Sequence, residues 1–136
     1  MTETTFSRSH LESPAPGARL APGRHLFRGW VWPRDGGLFT DVRARAGGRI
    51  FPGVHGFPRA DLAVHFGTGQ PFALAGFQVV VELTAGDTAV TLEVLEIEGR
   101  WSAFDTVPVS VDPALPRADS GTPQNPLSWL DIVRLT

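Results

Sequence analysis

Asp61 and His65 stand four residues apart, a spacing that puts two side chains on one face of a helical turn and lets them share an ion such as zinc or manganese. His25 and His55, from neighbouring segments, would complete such a set. None of these residues has the tight spacing of a strong metal motif, so surface or hydrogen-bonded histidines are the simpler reading, with no metal and no cofactor expected. Glu93, Glu96 and Glu98 raise glycoside hydrolysis, which needs two carboxylates facing each other across a cleft. Glu96 and Glu98 fall on one side of a strand, a pattern of solvated surface. Ser102, Ser110 and Ser128 lack the Gly-x-Ser-x-Gly turn that arms a nucleophile. No catalytic residue is therefore expected.

Four tryptophans, Trp30, Trp32, Trp101 and Trp129, offer a different chemistry, since flat rings stack on the apolar faces of sugars. Trp30 alternates with Leu26 and is expected in the core. Trp101 is expected at a hairpin end. Trp32, beside Pro33, sits at a strand end and is the best candidate for exposure. Trp32 and Trp101 are thus the candidate ligand-binding residues. Arg59 and Asp61 are expected to form a structural ion pair or to satisfy loop carbonyls.

These residues lie on segments that alternate with a period of two. Strands are expected over 24–32, 38–46 and 49–54, then from 72 to 83, 88 to 97 and 101 to 111, with turns every 8–12 residues. Gly47-Gly48 is a two-residue hairpin signal, because both positions tolerate positive φ. Residues 59–66 break the alternation and read as one or two helical turns, with Leu62 and Phe66 facing the core. The expected fold is an all-β antiparallel β-sandwich of about seven strands with flexible termini. Its core would gather Leu26 or Phe27, Trp30, Val42, Leu62, Phe66, Phe77, Val79, Val81, Val90, Leu92, Val94, Val107 and Val109. A disordered leader is expected over 1–23, the sandwich over 24–111, a Pro-rich linker over 112–126 and an apolar C-terminal segment over 127–136. Leu127, Trp129 and Ile132 of that last segment are candidate partner contacts.

Composition narrows the partners. The chain has 136 residues, enough for one domain with tails. Its 15 glycines and 12 prolines shorten strands and multiply turns. A formal charge of −2 and scattered arginines argue against nucleic-acid binding. There is no cysteine, which excludes disulfides and thiolate metal sites. The first ten residues lack an apolar signal region, and no apolar run is long enough to span a bilayer. A cytoplasmic protein is the expectation.

Gly29-Trp30, Val42, Gly48-Arg49, Arg59-Ala60-Asp61-Leu62, Ala75-Gly76-Phe77, Leu92-Glu93 and Gly99-Arg100-Trp101 follow one another in an order that resembles a bacterial accessory module. The resemblance is to immunoglobulin-like β-sandwich domains fused to family 2 glycosyltransferases and to some sugar-linked methyltransferases. It covers about two-thirds of the chain, and implies structural roles for Trp30, Arg59, Asp61 and Phe77. The transferase core and its metal-binding acidic motif are absent from these residues, so transferase activity does not carry over. The implied role is a non-catalytic interaction module in cell-surface polysaccharide synthesis, with a glycosyltransferase as protein partner. The alternatives are a carbohydrate-binding module using exposed tryptophans and a small metal-dependent enzyme.

Overall fold

A computed structural model describes residues 2–34, 39–57 and 75–119. The described chain forms β1 (Thr2–Glu3), β2 (Ser7–Ser13), β3 (Arg19–Leu20), β4 (Gly23–Pro33), β5 (Phe39–Ala46), β6 (Arg49–Phe57), β7 (Gly76–Leu83), β8 (Ala89–Glu96), β9 (Trp101–Pro108), β10 (Ser110–Val111) and β11 (Ala118–Asp119). Among the described residues there is no helix, and so none long and apolar enough to cross a membrane. The all-β antiparallel architecture expected from the alternation is the one the chain adopts. Eight strands follow the order β1-β2-β4-β7-β6-β5-β8-β9, and β1 and β2 come up against β9, so the sandwich nearly closes into a barrel.

One strand joins the two halves. Residues 49–52 of β6 pair with β5, whereas residues 53–57 pair with β7. The change of partner falls at Pro52-Gly53. Proline has no N–H to give a ladder, and Gly53 lets the backbones approach closely. A Cβ on Gly53 would lie 2.3 Å from Val79 Cγ2 and 2.8 Å from the Gln78 carbonyl oxygen, so the corner excludes a side chain. The preceding Gly47-Gly48 turn has φ of 56° and 78°, the positive values its two glycines allow.

Phe27, Val31, Val42, Phe77, Val79, Val81, Leu83, Val90, Leu92, Val94, Phe104 and Val107 fill the interior at 2% exposure or less. Phe77 from one half meets Phe104 from the other edge to face, with ring centroids 5.6 Å apart. Phe104 reaches inward because β9 carries an extra residue there: Glu93 lies opposite Ala103, but Leu92 lies opposite Asp105. Between the two expected alternatives at the start of β4, Phe27 enters the core and Leu26 is half-buried on the other face.

Residues expected as a disordered leader prove to be strand. Strand β2 pairs along β4, with Ser9 opposite Val31 and Leu11 opposite Gly29. Its inward side chains are Ser7, Ser9 and Leu11, at 0%, 1% and 9% exposure. Two buried serines make an inward face that does not read as apolar, which is why hydrophobic alternation passes over it. Ser7 pairs with Thr4, oxygen to oxygen 2.7 Å apart, which satisfies its buried hydroxyl. The stretch expected as linker also begins as structure: β11 runs beside the start of β4, and β10 pairs with β3.

Candidate functional site

The outer face of β2-β4-β7-β6 differs from the rest of the surface. Register places Arg8 and His10 of β2 opposite Trp32 and Trp30 of β4, and Arg28 and Trp30 opposite Gln78 and Gly76 of β7. These side chains point away from the core that Phe27 and Val31 enter. Trp30 and Trp32 are each only 6% exposed and stack on one another, with centroids 4.7 Å apart and planes 16° apart. The His10 ring lies 6.2 Å from Trp30. Trp30 is thus buried as expected, but on the sheet's outer face rather than in the central cluster. Trp32, expected to be exposed, is buried. Neither ring of the stack offers an open platform for a sugar.

Beside this stack lies a cleft of about 260 Å³, lined by Glu12, Arg28, Phe57, Gly76 and Gln78 and floored by Gly29 and Phe77. Two bulges build it. In β2, Leu11 opposes Gly29 and Ser13 opposes Arg28, so Glu12 is an extra residue. In β6, His55 opposes Phe77 and Phe57 opposes Gly76, with Gly56 inserted at a φ of 107°. A bulge resets which side a residue takes, and here it turns Phe57 to the outer face while His55 stays within. Gly76 contributes no side chain, which leaves the dent. Among the described residues, Arg28 is the one arginine with no hydrogen bond or ion pair to protein, and it stands exposed at this cleft.

The outer face of β5-β8-β9 is closed by charge. Arg43 Nε donates to Glu93 Oε1 at 2.7 Å, and Arg45 lies 3.7 Å from the other Glu93 oxygen. The Arg43 guanidinium sits 4.1 Å over the Trp101 ring. Trp101, a candidate ligand-binding residue, is half-buried and one ring face is covered by Arg43. Glu93 is 7% exposed, and the two arginines keep its buried carboxylate paired, so it does not belong to a solvated acidic surface. Glu96 accepts hydrogen bonds from Arg100 and from Ser102 Oγ at 2.6 Å, and Glu98 lies 3.7 Å from Arg100.

The tip of the β5–β6 hairpin is fastened in a similar way. Asp87 in the β7–β8 turn accepts from Arg49 at 2.5 Å and from the Thr84 amide at 2.7 Å. Burial pushes its carboxyl up, but the hydrogen bonds from Arg49 and Thr84 outweigh that and hold it below the usual carboxylate range.

His25 and His55 serve the framework. His25 Nε2 donates to the Ala21 carbonyl at 2.7 Å, and His55 Nε2 donates to the Val31 carbonyl at 3.3 Å. Burial lowers the pKa of His55, opposed by the Val31 carbonyl and by Asp41. Among the described residues, no three His, Cys, Asp or Glu side chains group to hold a metal. Arg59, Asp61, Leu62, His65 and Phe66 lie outside the described residues, as do Leu127, Trp129 and Ile132.

Glu12, Arg28, Phe57 and Gln78 were not legible as a site from the sequence. Gly56 and the Ser13-Pro14 stretch were the available signals, since a glycine within a strand and a proline just after one both mark broken register. No protein-family model matches the chain, and no curated protein matches it significantly.

Proposed function

We propose that this domain is a non-catalytic interaction module of the kind attached to bacterial family 2 glycosyltransferases, acting in the cytoplasm on a protein partner. The observation that supports this reading is that β4 carries large apolar side chains on both faces. Phe27 and Val31 enter the core, while Leu26, Trp30 and Trp32 share the outer face with Val54 and Val80 of the adjoining strands. An antiparallel sheet normally leaves one face polar and solvated. Here Leu26, Val54 and Val80 are half-buried rather than enclosed, and extend an apolar surface beside the tryptophan stack.

The test is co-expression with a tagged family 2 glycosyltransferase from the same genome. The expected result is stoichiometric co-purification with the unaltered domain. Leu26→Asp and Val80→Asp should weaken it at least tenfold while the melting temperature moves little. No co-purification with any such enzyme, or capture indifferent to both substitutions, would refute the reading.

A further inference from the structure

We infer that the cleft beside Arg28 binds a small carboxylate bearing hydroxyl groups, a sugar acid being the simplest member of that class. The inference does not depend on the accessory role, and it uses a different part of the face from Leu26 and Val80.

Three features lead to it. The first is the state of Arg28. Arg8, Arg19, Arg24, Arg43, Arg45, Arg49, Arg100 and Arg117 all stand in ion pairs, and Arg34 donates to the Thr4 carbonyl. Arg28 has neither kind of partner among the described residues. A guanidinium presents a planar fork that matches a carboxylate bidentately, which a point charge such as an ammonium cannot do.

The second is the composition of the walls. Gln78 lies directly opposite Arg28 across the β4–β7 ladder and offers both amide donors and a carbonyl acceptor. Glu12 offers acceptors only. Both already make other interactions, but an amide and a carboxylate each have hydrogen-bonding sites to spare. Together they suit hydroxyl groups, which give one hydrogen bond and take others. The Glu12 charge also disfavours a ligand that is anionic throughout, such as a phosphate, and favours one whose single negative group sits at the Arg28 end.

The third is shape. The volume of about 260 Å³ falls just below the roughly 300–1,000 Å³ of clefts that hold drug-sized molecules, which suits a single ring. Gly76, which carries no side chain, leaves the space in which it would lie.

The experiment is titration of the purified chain with glucuronate, glucose and acetate, following backbone amide shifts of Gly29, Gly76 and Gln78 by NMR. Glucuronate should give saturable shifts at these amides. Glucose, with hydroxyls and no charge, and acetate, with charge and no hydroxyls, should each bind at least roughly tenfold more weakly. Arg28→Gln should weaken glucuronate binding by roughly tenfold or more at an unchanged melting temperature, and Gln78→Leu by less. Arg100→Gln, on the opposite half, should change nothing. Absence of saturable shifts with glucuronate would overturn the inference. So would equal binding of glucose or acetate, or an Arg28→Gln protein that binds as well as the unaltered one.

Discussion

The two outer faces of this domain are made from similar side chains and use them differently. On β5-β8-β9, arginine, glutamate and tryptophan are joined to each other: Arg43 bonds Glu93 and covers Trp101, and Arg45 adds to the same carboxylate. On β2-β4-β7-β6, the tryptophans stack on each other, and Arg28 is left at a cleft without a protein partner among the described residues. The first arrangement consumes its polar capacity in holding neighbouring strands together. The second keeps some in reserve, and only a face of that kind has something to offer a ligand. Residue type alone would not have separated them.

The largest expected effect comes from truncating the buried stack. Trp30→Ala should cost about 3–5 kcal/mol, against about 1 kcal/mol for Trp101→Ala, which loses a half-buried ring and one cation contact. Chemical denaturation of both variants checks this. Similar losses would mean that the two faces are equally enclosed.

Next in size is Asp87→Ala, expected to cost about 2 kcal/mol, because the Thr84 amide and Arg49 lose their acceptor. Its pH dependence has a definite sign. The folded pKa of Asp87 is depressed, so its contribution is fully present above the unfolded value of about 3.9 and is lost as pH falls through the lower folded value. In Asp87→Asn, stability should decline less below pH 4 than in the unaltered protein. An identical acid limb in both would remove Asp87 from the account.

His55 gives the smaller effect, at higher pH. Its folded pKa is lowered by burial, so the unfolded chain binds more protons below about pH 6.5, and stability should fall as pH drops under that value. His55→Gln keeps a donor for the Val31 carbonyl and should flatten stability between pH 6.5 and 5. Urea midpoints across that range would check it, and a slope unchanged by the substitution would rule it out.

Period-two alternation identified β4, β5, β7, β8 and β9 and named most of the interior, from Val42 to Val107, because a strand with one apolar face announces itself. Gly47-Gly48 located the hairpin for the same local reason: positive φ is cheap only at glycine. Hydrophobic alternation does not reveal strand β2, because serine fills two of its inward positions. The exposure of Trp32 could not be read from its neighbours in the chain. Its position at a strand end says nothing about a ring stacking on Trp30 two residues earlier.

What the chain determined by itself is therefore the class of fold, the main hairpin and the identity of the core, all consequences of near-neighbour sterics and alternation. Tertiary structure decided the rest. Bulges at Glu12 and Gly56 reset which side each following residue takes, and strand pairing brought residues 12, 28, 57 and 78 to one cleft. Pairing also selected which arginines found carboxylates. Those outcomes depend on register between strands far apart in sequence, and register is settled only when the whole sheet packs.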